Sequence, residues 1–187
     1  MAPASPIHPA TDTANICLIG LMGSGKSTVG PLLANQLSFT LVDLDSEIET
    51  RLGRAIPEIF EQLGESAFRH EEARLLKHYC AEKHQVIDCG GGVVVTPENR
   101  PILRQQTTVY LAASPETLAR RVGSGKGRPL LKNAHSMIDH LAGLLREREL
   151  FYRESAGIII ETDHKKPLTI ARKILTGLNV EQKAHPL

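Results

Sequence analysis

Apolar residues in this chain fall into short runs that end on glycine or acid, separated by stretches in which they recur every three or four positions. The first run, NICLIG (Asn15 to Gly20), stops at glycine, and in VGPLLANQL behind it Val29, Leu32, Leu33 and Leu37 share one helical face. That pattern predicts strand, glycine loop, helix. FTLVD (Phe39 to Asp43), QVIDC (Gln85 to Cys89), TTVYLA (Thr107 to Ala112) and GIIIET (Gly157 to Thr162) read as four further strands, with helical stretches between all five. Apolar strands alternating with helices imply an α/β protein: a parallel sheet covered on both faces, with ligands at the carboxyl ends of the strands. Two regions break the rhythm, a helical insertion from about Arg54 to Lys83 and the glycine-rich GSGKGRP (Gly123 to Pro129), and both are candidates for substrate binding or lid movement.

Composition narrows the classes. A length of 187 residues suits one domain. With 41% hydrophobic and 23% charged residues and a net charge of +1, the chain reads as a soluble globular protein without a polyanionic partner. Nucleic-acid binding is not expected, because the basic residues are scattered and aromatics make up only 4%. Cys17, Cys80 and Cys89 lack CxxC spacing and are odd in number, which argues against a disulfide framework or a zinc site and fits a reducing cytosol. The eight histidines are dispersed, so no histidine-based metal site is expected. No apolar run approaches the roughly 20 residues of a membrane span. The opening MAPASPIHPATDTA has no Lys or Arg and reads as a disordered tail rather than a secretory signal.

The chemistry begins at GLMGSGKS (Gly20 to Ser27), which fits GxxxxGK[ST] in full, directly after a strand and at the start of a helix. In such a loop the glycines let backbone N–H groups of Gly23, Ser24, Gly25 and Thr28 curl around phosphate oxygens, and the helix N-terminus adds partial positive charge. Lys26 is expected to reach the β- and γ-phosphates of ATP, and Ser27 to offer its hydroxyl to Mg²⁺; helix capping is the plainer role for Ser27. GSGKG (Gly123 to Gly127) echoes this loop, but it follows a helix pattern and has Gly127 where a metal needs Ser or Thr, so it is no second phosphate loop.

A phosphate cradle defines the donor and leaves the acceptor open. VDLD (Val42 to Asp45) puts Asp43 and Asp45 at the end of the second strand, either facing the phosphates and an acceptor or opening a helix with an Asp cap. GGG (Gly90 to Gly92) after the third strand permits close approach of a small ligand, or is a flexible turn.

GLMGSGKSTVG, the DLD pair, the FR of GESAFRHEE, the triple glycine, RPLL and the Arg of LLREREL stand in an order that resembles the shikimate kinases, from about Ile16 to Leu178. The resemblance implies a P-loop fold with strand order 2-3-1-4-5 in a single domain over 15–180, with an acceptor-binding insertion at about 44–83, a lid at about 123–135 and a tail at 181–187. It also implies ATP-dependent phosphorylation of the 3-hydroxyl of shikimate, on the route to aromatic amino acids. By the same resemblance Asp45 holds the acceptor hydroxyls and helps orient or deprotonate the attacking one. Arg69 and Arg148 bind the shikimate carboxylate, and the backbone of Gly90, Gly91 and Gly92 completes the pocket. Arg128 is the lid arginine over ATP, Asp43 supports Mg²⁺ through water, and Arg121 flanks the adenine opposite TDHKKP (Thr162 to Pro167). Planar guanidinium forks suit a small carboxylate, and a carboxylate suits a hydroxyl; as residues alone, Arg69 and Arg148 also fit solvated, ion-paired helix faces. A cytoplasmic monomer is expected. VIDCGGG departs from the family, since the position of Asp88 is more often uncharged there. Either a water-mediated magnesium contact or a structural hydrogen bond accounts for an acid at that strand end, and Cys89 is read as packing. The rival readings are a gluconate or nucleoside monophosphate kinase of the same fold, and a nucleotide-binding module without turnover.

Overall fold

The computed structural model describes residues 15–123 and 134–178, with side chains given from 137 onward in the second segment. The expected tails at 1–14 and 181–187, most of the expected lid, and Arg128 lie outside the described residues.

Five strands form one parallel sheet: β1 (Ile16–Ile19), β2 (Thr40–Asp43), β3 (Gln85–Asp88), β4 (Thr107–Ala112) and β5 (Ile158–Glu161). Their order is β2-β3-β1-β4-β5, as the resemblance implied. Eight helices are described: α1 (Lys26–Leu37), α2 (Leu44–Leu52), α3 (Ile56–Gln62), α4 (Gly64–Ala81), α5 (Asn99–Arg104), α6 (Pro115–Gly123), α7 (Ala134–Ser155) and α8 (Pro167–Gly177).

The apolar runs follow from burial on two faces. Along a strand successive side chains point to opposite sides, so Ile16 and Leu18 of β1 join Val29 and Leu33 of α1 and Ile170 and Ile174 of α8 in one layer. Cys17 and Ile19 join Ile48, Phe68, Leu76, Leu118, Leu141 and Tyr152 of the helices on the other side. The central strands β1 and β4 are almost wholly buried, whereas the edge strands are partly exposed, at Thr40 and Leu41 in β2 and at Ile159 and Glu161 in β5. Asn15 fixes the entry to β1: its side-chain amide donates to the carbonyl of Glu82 at 2.8 Å, and its Oδ1 accepts from the N–H of Gln85 at 3.0 Å.

All three cysteines are free thiols. The Sγ atoms of Cys17 and Cys80 lie 3.9 Å apart, well beyond a disulfide length of about 2 Å. Cys89 is fully buried, as its packing role predicted. Among the described residues no helix is long and apolar enough to cross a membrane.

Parallel pairing brings the carboxyl ends of β1, β2 and β3 together. Asp88 pairs in register with Leu18 on one side and Asp43 on the other, so the glycine loop, the DLD segment and the triple glycine leave the sheet side by side.

Candidate active site

The loop from Gly20 to Ser27 joins β1 to α1. Gly25 caps the helix at φ 108°, a conformation that side chains disfavour, and the first turn has neither a side-chain cap nor an acidic residue of its own. An uncapped, positively polarised helix start beside a lysine is an anion site. Lys26 is buried, and its Nζ donates to the carbonyls of Gly20 at 3.0 Å and Leu21 at 3.5 Å, arching back across the loop.

Ser27 does more than open the helix. Its Oγ donates to Asp88 Oδ2 at 2.8 Å, while Lys26 Nζ stands 4.0 Å from Asp88 Oδ1. Burial pushes the Asp88 carboxyl up to about 6; Lys26 and the Ser27 hydroxyl oppose the shift, and Asp43 and Asp45 add to it.

The two acids of VDLD divide their roles. Asp43 ends β2 and caps α2, its Oδ1 accepting the N–H of Ser46 at 3.2 Å. Asp45 sits in the first turn of α2, and burial raises its carboxyl above the usual range, helped by Asp43 and opposed by Lys26 and Arg69.

At the acceptor end, Arg69 of α4 donates through Nη1 to Glu72 Oε2 at 2.9 Å and through Nη2 to Glu65 Oε1 at 3.1 Å. Glu72 is almost fully buried at 1% exposure, and burial raises its carboxyl against the pull of Arg69. The triple glycine is the floor on which these groups meet. A Cβ at Gly90 would stand 2.5 Å from Asp45 Oδ1 and 3.4 Å from Glu72 Oε1, and one at Gly92 would run into the Arg69 guanidinium. The missing side chains therefore make room for the protein's own carboxylate and guanidinium, beyond the ligand approach that the sequence suggested.

Arg148 approaches from α7, donating through Nη1 to the Gly91 carbonyl at 3.2 Å, and Tyr152, one turn on, donates its hydroxyl to the same oxygen. Glu72 Oε1 and Arg148 Nε are buried without a hydrogen-bond partner, which leaves an acceptor and a donor beside Asp45 and Arg69.

At the far end of the loop, Arg121 donates from Nη1 to the carbonyls of Gly23 and Ser24, both at 3.2 Å, and from Nη2 to the Thr162 carbonyl at 2.7 Å. It thereby ties the loop to the segment after β5.

One cleft of about 1460 Å³ is lined by Gly23, Ser24, Gly25, Lys26, Ser27, Thr28, Asp43, Asp45, Arg69, Gly90, Gly91, Gly92, Arg121 and Arg148. Every described residue assigned from sequence to the phosphate loop, the magnesium and the acceptor therefore shares one space with Arg121, and of the segment Thr162 to Pro167 it is Lys165 and Pro167 that line it. Glu72 and Tyr152 were given no role from sequence. Each follows a singled-out arginine on the same helical face, Glu72 three residues after Arg69 and Tyr152 four after Arg148.

Ser27, Asp43 and Asp88 offer hard oxygen donors of the kind magnesium takes. Among the described residues no three His, Cys, Asp or Glu side chains form a metal cage. This donor set fits an ion held chiefly by phosphate and water, with few protein groups.

A family model described as shikimate kinase matches residues 22–179. The shikimate kinase of Nitrosomonas europaea is 42% identical over 167 residues, covering 88% of this chain and 78% of that one. That of Pseudomonas syringae pv. syringae is 44% identical over 165 residues, covering 88% and 95%. Among solved structures, a shikimate kinase from Acinetobacter baumannii in complex with shikimate superposes with a TM-score of 0.82 at 39% identity, covering 89% of this chain and 93% of that one. A family match over most of the chain, with relatives more than 40% identical across 88% of it, is decisive: the chain belongs to the shikimate kinase family.

Proposed function

We propose that this protein transfers the γ-phosphoryl group of ATP to the 3-hydroxyl of shikimate. The observation that carries the reading is the meeting, on one glycine floor, of Asp45 with two guanidinium groups from separate helices, Arg69 and Arg148, in the same cleft as the phosphate loop. A small acid bearing hydroxyls matches that set: the guanidinium forks take its carboxylate and the aspartate its hydroxyls. Gluconate is also a hydroxy acid and would satisfy the same charges, so the choice of shikimate over it rests on the family to which the chain belongs.

In this reading the β- and γ-phosphates lie over the first turn of α1, with Lys26 released from its own loop carbonyls onto them. Asp45 accepts the proton of the 3-hydroxyl as the oxygen bonds to the γ-phosphorus; the bond from phosphorus to the bridging oxygen breaks, and ADP leaves. A carboxyl lifted by burial is better matched to take up that proton than an ordinary aspartate. Mg²⁺, held by Ser27 and through water by Asp43, would supply charge neutralisation on the phosphates. Arg121 is assigned to flank the adenine, with the segment Thr162 to Pro167 on the other side, a reading supported by the presence of Arg121, Lys165 and Pro167 in the same cleft. Arg128 is assigned to the transferring group by resemblance, and the insertion at about 44–83 to acceptor closure. The protein is taken to act as a cytoplasmic monomer.

ADP release with ATP and Mg²⁺, measured with and without shikimate and with gluconate and a nucleoside monophosphate as controls, tests the reading. Stimulation by shikimate alone is expected. Stimulation by a control would discard the acceptor, and ATP binding without turnover would point to a non-catalytic nucleotide module.

A further inference from the structure

Tyr152 has no part in the reaction above, yet it is wholly buried and commits the single proton of its hydroxyl to the Gly91 carbonyl, on the acceptor floor. Its ring is held from behind by Tyr110 of β4, stacked at 4.9 Å between centroids and 16° between planes. Tyr110 in turn pairs in register with Ile19, the last residue of β1, and donates its own hydroxyl to Glu149 Oε2 at 2.7 Å. The Tyr152 hydroxyl is therefore fixed against the centre of the sheet. The Gly91 carbonyl has two lone pairs and two donors, that hydroxyl and Arg148 Nη1 at 3.2 Å. Arg148 and Tyr152 stand four apart on α7, so both reach this oxygen from one helical face. With Nη1 anchored there, the planar guanidinium cannot turn freely, and the edge that carries Nε, buried and without a partner, is left for a ligand.

From this geometry we propose that Tyr152 is a positioning residue for the acceptor: by fixing the Gly91 carbonyl it fixes the plane of Arg148, and with it the guanidinium edge that takes the acceptor's carboxylate. The inference rests on the assignment of Arg148 in the shikimate reading above. A bidentate clamp on a carboxylate works only when that edge is held in one orientation. Core packing alone does not account for the arrangement. A phenylalanine would stack on Tyr110 as well without the cost of burying a hydroxyl, and the acceptor that the hydroxyl has found is the same oxygen that Arg148 uses.

The test separates shikimate from ATP. Tyr152→Phe keeps the ring and its stack and removes only the donor. A lost hydrogen bond at a buried group typically weakens an interaction by about 5- to 100-fold, so the KM for shikimate is expected to rise roughly tenfold while the KM for ATP stays unchanged. Arg148→Lys has no fork to orient, and in that background Tyr152→Phe should lower kcat/KM for shikimate by a few-fold at most. A second readout needs no turnover. Gly90, Gly91 and Gly92 are the only adjacent glycines in the chain, so protein carrying ¹³C-carbonyl and ¹⁵N glycine shows the Gly91 and Gly92 amides alone when the coupling between the labels is selected. The Gly91 carbonyl and the Gly92 N–H share one planar peptide, so the Gly92 nitrogen resonance should shift in Tyr152→Phe before any substrate is added. An unchanged KM for shikimate would overturn the proposal. So would a parallel rise for ATP, an undiminished effect in the Arg148→Lys background, or a Gly92 resonance that does not move. Tyr152→His, whose shorter ring brings no donor to Gly91, serves if the Phe variant does not fold, and should show the same loss. Wild-type turnover that shikimate fails to stimulate would remove the acceptor reading and this inference with it, whereas a shikimate-dependent wild type beside an indifferent Tyr152→Phe would remove this inference alone.

Discussion

Replacing Gly92 by alanine isolates the placement of Arg69 from everything else in the site. Gly92 is not in the left-handed region, so alanine costs nothing in backbone strain, but its methyl group would occupy the space that the Arg69 guanidinium now fills. The side chain must swing away. Its end is flexible, so the displacement is cheap for the fold, although the Glu72 carboxylate loses alignment with the Nη1 donor that now stands at 2.9 Å. A charge-assisted hydrogen bond contributes about 1.5–3 kcal/mol, and each 1.4 kcal/mol is a factor of ten. If the displaced guanidinium loses one such bond to the acceptor carboxylate, the KM for shikimate rises about tenfold to a hundredfold while the KM for ATP stays near its wild-type value. Loss of stability should stay near 1 kcal/mol, which for a chain of this size shifts Tm by about 2–4 °C. Steady-state kinetics with each substrate varied and a thermal melt provide the readouts. Gly143→Ala on α7, where the new methyl would meet the Arg146 guanidinium at 3.8 Å, is the control: it should leave both KM values alone and stabilise by about 0.5–1 kcal/mol as a helix substitution. An unchanged shikimate KM in Gly92→Ala, or a parallel rise for both substrates, would refute the assignment of Arg69 to the acceptor.

The donor and acceptor halves should separate by mutation: Asp45→Asn should cut turnover far more than ATP affinity, and Lys26→Ala should damage both, as initial-rate kinetics beside nucleotide calorimetry would resolve; equal loss of ATP affinity in the two variants would contradict that division. Asp163 offers a test in pH. Its carboxylate accepts the Ser114 N–H at 3.1 and 3.2 Å, and although burial would raise it, the Ser114 and Thr117 hydrogen bonds hold it below the usual carboxylate range. An acid depressed in the folded state contributes stability that is present above its unfolded value near 3.8 and lost as pH falls through its lower folded value. Asp163→Ala should therefore cost about 1 kcal/mol at pH 7, by urea titration, and that difference should vanish as acid protonates the wild-type group; a difference that persisted to pH 2 would rule out the carboxylate as its source. Glu72, raised by burial, has the opposite sign: its contribution is present below the unfolded value and fades as pH rises through the higher folded value, so Glu72→Gln should flatten stability on that side.

What was legible in the sequence follows how local each signal is. All five strands were readable because each is a short run whose composition reports its own burial, and the phosphate loop because its function needs fixed residue types at fixed spacing. The order of the strands was not readable from the runs themselves. It depends on pairing between residues far apart in the chain, as where Leu18 meets Asp88, and entered through the resemblance. Nor could composition say that β2 and β5 would be edges: TLVD and IIIE look as apolar as the centre, yet Leu41 and Ile159 are about 40% exposed.

The DLD pair shows the finer limit. Two acids two apart on a strand would share a face, and the sequence placed both at the strand end. The strand stops at Asp43 and a helix begins at Leu44, so the backbone turns between them: one carboxylate satisfies the helix start and the other carries its charge into the cleft. Of the two accounts of this pattern, capping falls to Asp43, and Asp45 is the acid left to the cleft. Glu72 escaped for a related reason. On paper it is one more charge in a charged helix, and only the packing of α4 against the triple glycine makes it a buried carboxylate with an oxygen to spare. Arginine three residues earlier was its one local sign, because a buried acid needs a partner within a turn or a contact from elsewhere in the fold.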